Sequence, residues 1–317
     1  MNRLRYVDLD LDLHSIRIVR AVAEHGTISA AARALGYSQP AISQHLRRAE
    51  ARLGVPLVTR AGRGVRLTEP GALLARHAIT ITSALDAASG DLAELMGLAA
   101  GTVRVAGFPT ASSTLVPHLL QEMRSQYQGI TVTFIEAEPP ESIAMLREGL
   151  VDVAITFAYP GDRADPHRVD SSLNTVLLFT EPVVIAIPQS HALAAEDEVA
   201  LERLAGERWI AGCPLCRGHL LAACEAVGFV PRIELETDNA VAVLNLVAND
   251  LGLALLPRLA LATAAVPPGT AIRRTAPNSD RSIRVVTQAG AERVPSIAAA
   301  LATIRGLDGT RWGLARA

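Results

Sequence analysis

The chain has 317 residues, half of them hydrophobic and one fifth charged, with a formal net charge of −2. That composition excludes a disordered, collagen-like or disulfide-stapled protein and leaves room for about two to three domains. The near-neutral total hides an asymmetry: residues 1–66 carry eleven Arg against five Asp and Glu, a net +6, while the remainder carries −8. A basic head on an acidic body suits contact with nucleic acid through the head alone.

The first thirty residues contain Asp8, Asp10, Asp12 and Glu24 and no apolar stretch of signal-peptide type, so no secretory leader is expected. The longest apolar run, Leu251 to Val266, is interrupted by Pro257 and Arg258, which argues against a membrane span. Three cysteines make no disulfide framework, and the expected compartment is the cytoplasm.

In chain order, residues 1–10 form an extension, and Asp12 is placed to cap a helix with the stripe Leu13, Ile16, Val19 and Ala23, ended by Gly26. Thr27 or Ser29 caps a second helix that Gly36 closes, and Ser38 caps a third with Pro40 in its first turn. Two helices joined by a short turn containing glycine are a helix-turn-helix pattern. In the third helix Ile42, Leu46, Ala49 and Leu53 make one apolar stripe. Gln39, Ser43 and Arg47, with Gln44 beside them, carry the amide, hydroxyl and guanidinium groups that read base edges. After Gly54 and Val55-Pro56-Leu57-Val58 come Arg60, Gly62, Arg63, Gly64 and Arg66, a glycine-tipped hairpin suited to phosphate. The candidate DNA-contacting residues are Thr27, Ser38, Gln39, Pro40, Ser43, Gln44, Arg47, Arg48, Arg60, Arg63 and Arg66.

This stretch resembles the N-terminal domain of LysR-type transcriptional regulators. The resemblance lies in Ala30-Ala31 before Leu35, in Ser38-Gln39-Pro40-Ala41-Ile42-Ser43, in Arg47, Glu50, Leu53-Gly54, Pro56-Leu57 and Arg60, and in Leu67-Thr68-Glu69 with Gly71. Three positions depart from it: Ala49 replaces a usual Leu, Val58 a usual Phe, and Ile18 a usual aromatic. The changes at Ala49 and Val58 reduce core volume.

From Glu69 to Met96, Leu74, Ala78, Ile81, Leu85, Ala88, Leu92 and Leu95 alternate in steps of four and three, a heptad seam. A small head has little core to offer such a helix, so the seam is expected to join two chains. The resemblance implies the same, a linker helix that makes the dimer.

Beyond Thr102, strands and helices alternate. Strands are expected at Val103–Gly107, Ile130–Ala137 and Val151–Phe157, with helices at Leu115–Tyr127 and Ser142–Gly149, giving a parallel sheet. A second round follows, with strands at Pro182–Pro188, Trp209–Ala211, Ile233–Glu236, Leu253–Leu256 and Arg284–Gln288. Its helices are expected at Leu201–Leu204, His219–Val227, Val241–Asn249 and Val294–Ile304. Two such halves predict two lobes with a cleft, and the resemblance implies a periplasmic-binding-protein-type sensor.

The expected fold class is α/β overall: an all-α winged helix-turn-helix at 1–66, a linker helix at 67–97, a hinge at 98–101 and a two-lobed sensor at 102–317. Lobe 1 takes about 102–172 and 276–317 and lobe 2 about 173–275, with crossings near Arg168–Thr175 and Ala271–Arg281.

Ligands of open α/β sheets sit beyond the carboxyl ends of strands. The candidate effector residues on that rule are Thr110, Ala111, Ser112, Ser113, Phe157, Tyr159, Gly212, Cys213, Thr237, Asp238 and Asn239. The converging helix N-termini favour a small anionic effector. Cys213-Pro214-Leu215-Cys216, with His219 and Cys224 following, suits dithiol chemistry or the start of a zinc site, though no fourth ligand is evident. The reading preferred for these cysteines is three reduced thiols at a pocket wall. No G-x-S-x-G, P-loop, G-x-G-x-x-G or H-E-x-x-H is present, so no enzyme, cofactor or metal is expected. The sequence therefore leads to a regulator that binds duplex DNA as a homodimer or dimer of dimers. It would answer to a small effector and, if an activator, would engage RNA polymerase. The alternative is a redox- or metal-responsive regulator using Cys213 and Cys216.

Overall fold

The computed structural model describes residues 11–61, 64–95, 101–161, 165, 167, 172–262 and 264–317; within 81–95 it describes the side chains of 81, 82, 84, 85 and 88. The chain divides into two compact units, one of residues 1–92 with 147–149 and one of the remainder.

The first unit opens with α1 (Leu13–His25), α2 (Ile28–Ala34) and α3 (Gln39–Leu53). Each start is set by a short polar side chain. Asp12 accepts from the Ser15 N–H at 2.7 Å, Thr27 from Ala30 at 3.1 Å and Ser38 from Ala41 at 3.4 Å. Gly26 and Gly54 end α1 and α3 with φ of 65° and 71°, a region that costs other residues energy. Two strands follow, β1 (Val58–Ala61) and β2 (Gly64–Leu67), paired antiparallel with Val58 opposite Leu67. The long helix α4 spans Glu69–Leu95.

Ile16, Ile18, Val19, Val22, Ile42, Leu46, Ala49 and Leu57 form the core of this unit. Burying each large aliphatic residue contributes about 1.5–3 kcal/mol. Ala23, expected in the α1 stripe, is exposed, and Ala21 and Val22 are buried instead. Ile18 and Ala49 are both fully buried, so these departures from the family pattern fall inside the core.

The Leu67-Thr68-Glu69 run with Gly71 has a local explanation. The Thr68 hydroxyl donates to the Pro56 carbonyl at 2.6 Å and accepts from the Gly71 N–H at 3.2 Å. A Cβ on Gly71 would lie 2.0 Å from the Leu57 carbonyl oxygen, so only glycine lets α4 start this close to the backbone leading into β1. Glu50 accepts from the Leu57 and Val58 N–H groups at 2.8 and 3.2 Å and fixes the same corner from α3.

The heptad seam on α4 needs correction. Leu74 and Ala78 are buried in the core of their own unit, and Ile81 packs against it. These three side chains are therefore already covered within one chain. Of the later seam residues, Leu85 is half-buried and Ala88 exposed, while the Leu92 and Leu95 side chains lie outside the described residues.

In the second unit β3 (Gly101–Gly107), β4 (Ile130–Glu136) and β5 (Val153–Ala158) are parallel, with β3 in the middle. Three helices connect them: α5 (Pro109–Ser112), α6 (Leu115–Gln126) and α7 (Pro139–Arg147). The sixteen-residue β6 (Leu173–Pro188) comes next, then β7 (Glu198–Ala200), β8 (Arg208–Ala211), α8 (Pro214–Ala226), β9 (Arg232–Glu236), α9 (Ala240–Ala248), β10 (Ala254–Pro257), α10 (Arg258–Leu261), β11 (Thr270–Ala276), β12 (Asp280–Gln288), α11 (Pro295–Gly306) and β13 (Ala315–Arg316). The helix expected at Leu201–Leu204 is one turn of 3₁₀ helix.

β6 belongs to both lobes. Residues 173–182 pair antiparallel with β12, which continues the β4-β3-β5 sheet. Residues 183–188 pair with β10 on one side and β11 on the other. The first crossing therefore lies at Pro182–Val183 inside a continuous strand, not near 168–175, of which 168–171 lie outside the described residues. An uninterrupted strand keeps its ladder satisfied on both sides of such a crossing, so no run of turn residues marks it. The return falls between β11 and β12, inside the expected 271–281. Of the hinge expected at 98–101, Gly101 is the first residue of β3 and 98–100 lie outside the described residues.

Candidate nucleic-acid interface and ligand cavity

On α3 the buried residues Ile42, Leu46 and Ala49 define one face. Gln39, Gln44, Arg47 and Arg48 are exposed, as are Ser38 and Pro40; Ser43 and Thr27 are half-exposed. The Gln39 amide donates to the Ser43 hydroxyl at 3.0 Å, and Arg47 Nε to the Ser43 carbonyl at 3.3 Å. Exposed amide and guanidinium groups therefore run along one line of a helix whose opposite face is locked in the core. Among the described residues, Arg47, Arg48, Arg60 and Arg66 are not held in ion pairs, in contrast to Arg52, which bonds Asp12.

On the wing, Arg60 lies opposite Val65 and Arg66 opposite Thr59. Cross-strand partners share a face, so Arg60 and Arg66 point to opposite faces of the ribbon and do not line one surface together. Arg63 lies outside the described residues.

Within the second unit a cavity opens where the two sheets meet. Phe108, Thr110, Glu138, Phe157 and Arg281 wall it from one side, and Ile210, Gly212, Cys213, Cys216, Thr237, Asp238, Val243 and Leu256 from the other. Its volume is about 50 Å³, room for a few heavy atoms.

Six expected effector residues line this space: Thr110, Phe157, Gly212, Cys213, Thr237 and Asp238. The others do not. Ala111 is fully buried, and the Ser112 hydroxyl bonds the Pro109 carbonyl and Glu136. Ser113 bonds Pro109 at 3.1 Å, and Asn239 caps α9 through Val241 and Ala242. These short polar side chains serve local backbone. Tyr159 sits behind the wall, stacked on His219 at 4.1 Å, with its hydroxyl 3.6 Å from Cys216 Sγ.

The groups that organise the cavity were not selected from sequence. Arg281 on β12 and Glu181 on β6 are register partners and are both buried. Arg281 Nη2 and Nε donate to Glu181 Oε1 at 2.6 and 2.8 Å, and Glu181 Oε2 accepts from the Leu259 N–H at 2.6 Å. Arg281 also reaches the Thr110 hydroxyl at 3.2 Å and lies against the Phe108 and Phe157 rings at 4.9 and 4.5 Å. Burial opposes its charge, but the Glu181 carboxylate outweighs that and holds its pKa above the ordinary range.

Glu138 differs: its Oε2 is buried without a partner. Burial is the main cause that pushes its pKa up to about 7; Asp238 and Glu136 add to it, against Arg281 and a hydrogen bond with Cys213. Cys213 caps α8, its Sγ accepting from the Cys216 N–H at 3.4 Å, and the two sulfurs are 2.7 Å apart. The hydrogen bond between them lowers the Cys216 pKa, helped by Arg281 and Tyr159, and raises that of Cys213. His219, considered as a third metal ligand, has its Nε2 2.9 Å from the Ser279 hydroxyl, and no group of three metal-ligating side chains gathers among the described residues.

A profile described as LysR substrate binding domain matches residues 97–308, and one described as bacterial regulatory helix-turn-helix protein, lysR family, matches residues 13–72. The chain belongs to the LysR family of transcriptional regulators.

It is 31% identical to the transcriptional activator CmpR of Synechocystis over 62% of its own length and 61% of that protein. It is 32% identical to a probable hydrogen peroxide-inducible genes activator of Mycobacterium avium over 78% of each chain. Full-length OxyR from Pseudomonas aeruginosa, in a variant form, has a similar fold with a TM-score of 0.71 at 24% identity, covering 93% of this chain and 95% of that one. Among the described residues of this LysR-family regulator, no helix is long and apolar enough to cross a membrane.

One signal for the overlooked ion pair was present. Glu181 interrupts the apolar run around 176–187, and a charged residue inside such a strand requires a buried partner. Glu138, just before Pro139-Pro140, gave no signal distinct from a helix start.

Proposed function

We propose that this LysR-family regulator reads its operator with Gln39, Ser43, Gln44 and Arg47 in the major groove. Arg48 and the wing arginines sit on phosphate, and Thr27, Ser38 and Pro40 border the contact. The observation that carries this reading is the division of α3 into a fully buried apolar face and an exposed line of base-reading side chains. The protein acts as a homodimer or a dimer of dimers in the cytoplasm, and it contacts RNA polymerase where it activates. A small effector in the cavity beside Arg281 changes how the two sheets are held, and through them the DNA-binding heads. Supporting this, the cavity wall draws on strands paired with either half of β6, Arg281 on β12 and Leu256 on β10. The deciding experiment compares operator footprints of the full-length protein and an Arg47→Ala variant on wild-type and single-base-changed operators. Protection that depends on sequence in the first and less so in the second supports the assignment.

A second reading follows from the 2.7 Å between the sulfurs. A hydroperoxide would oxidise one thiolate to a sulfenic acid with loss of an alcohol or water. The second thiol would then displace water to form the Cys213–Cys216 disulfide. The regulator would in that case answer to oxidation at the same cavity.

A further inference from the structure

The charge inside the cavity does not match an anion. Among the described lining residues the one cation is Arg281, and its charge is already paired with the buried Glu181 carboxylate. A carboxylate ligand would find its positive partner already neutralised. It would also face Glu138, with Asp238 and Glu136 close enough to raise that carboxyl's pKa further.

The unfilled valence points the other way. Glu138 lines the cavity, and its Oε2 is buried with no hydrogen-bond partner. Buried polar atoms in folded proteins are almost always satisfied, so an unpaired acceptor on a side chain that lines a cavity calls for a ligand that brings a donor. An ammonium group supplies three N–H donors and the opposite charge. Phe108, Ile210, Val243 and Leu256 give the same space an apolar stretch of wall. Its volume of about 50 Å³ leaves room for a short carbon body.

We propose that the cavity binds a small protonated amine, with N–H donated to Glu138 Oε2 and a short carbon chain lying against Phe108, Ile210, Val243 and Leu256. This rests on the reading that the cavity is the effector site. The groups that face Glu138 are Asp238, Glu136, Arg281 and Cys213. The amine favours the ionised carboxylate, so binding releases a proton and tightens as pH rises through the neutral range.

The test uses the full-length protein and three probes of one size: n-propylammonium chloride, sodium propionate and n-propanol, titrated by calorimetry at pH 6 and pH 8. Propylammonium is expected to bind at least about tenfold more tightly than either other probe, and more tightly at pH 8 than at pH 6. Glu138→Gln keeps the shape and removes the charge, and should weaken propylammonium about tenfold and abolish the pH dependence. Ala240, at the start of α9, also lines the cavity; Ala240→Leu fills that space and should also prevent binding. Propionate binding more tightly than propylammonium, or propylammonium binding that ignores both substitutions, overturns the proposal. Propylammonium that fails to bind overturns it too. The underlying reading fails separately: if Ala240→Leu leaves effector-dependent expression in cells unchanged, the cavity is not the effector site whatever its preference in charge.

Discussion

At the residue scale, the two classes of arginine in the head differ in what their loss should do. Arg47 stands on the exposed line of α3, and Arg47→Ala is expected to cost about 1–3 kcal/mol of operator binding and relax the preference at one base pair. Arg66 stands on the wing, and Arg66→Ala should weaken all DNA sequences alike and reduce the salt slope by about one. Titration of both variants against specific and scrambled duplexes at several salt concentrations separates the two; identical behaviour would remove α3 from the role of reader. In the sensor, Glu138 links stability to pH. Its carboxyl pKa rises from 4.5 to about 7 on folding, so the folded state holds a proton that the unfolded state has lost. That contribution is complete below about pH 4.5 and disappears as pH rises through 7. Glu138→Gln should therefore match the wild type in urea denaturation near pH 4.5 and exceed it by about 1–3 kcal/mol at pH 8. The Arg281–Glu181 pair behaves differently. Arg281→Met alone leaves a buried carboxylate uncompensated and should cost about 3–5 kcal/mol, whereas replacing both residues by Met should cost much less.

At the scale of elements, the caps of the head were legible because each is local. Asp12, Thr27, Ser38, Gly26 and Gly54 need only their own helix ends to explain them. The seam of α4 was legible as a stripe but not as to its partner. Steps of four and three describe a helix face that is covered, and the covering layer can be another chain or the same one. Here Leu74, Ala78 and Ile81 are covered by α1 to α3 and their neighbours. A dimer contact from this face must use its later part, where Leu85 and Ala88 remain accessible. Replacing Leu85 and Ala88 by Asp should leave the head folded and give a monomer in sedimentation, with weak operator binding because half-sites about 34 Å apart are no longer bridged. A dimer of unchanged stability would exclude this stretch as the contact, whereas Ala78→Asp should unfold the head itself. In the sensor, strands and helices were legible from their apolar runs, and six cavity residues from the rule about strand ends. The cavity's charged centre was not, because Glu138, Glu181 and Arg281 come from distant segments whose meeting depends on sheet register.

At the scale of the whole molecule, the two readings of the cavity differ in one measurement. If the effector alone controls the protein, replacing Cys213 and Cys216 by Ser leaves operator affinity unchanged in dithiothreitol and in dilute peroxide. If oxidation controls it, the wild type shifts its DNA binding on mild peroxide treatment and the double variant does not. Purified protein with about one zinc per chain, lost in Cys216→Ser, would bring back the metal reading despite the engagement of His219 by Ser279.

The shared strand β6 also bears on how the sensor comes apart. Its first ten residues are bonded into one sheet and its last six into the other, with no loop between them. Two lobes joined by flexible crossings would be separate cooperative units, each opening with its own free energy. Here both ladders hold parts of one continuous strand, so the loss of either frees one end of the strand that the other is built on. Hydrogen exchange should therefore show the amides of 174–181 and 183–187 gaining protons in one opening event. Proteolytic or genetic excision of lobe 2 alone should yield a fragment that does not hold its sheet, since part of its central strand's support has been left behind.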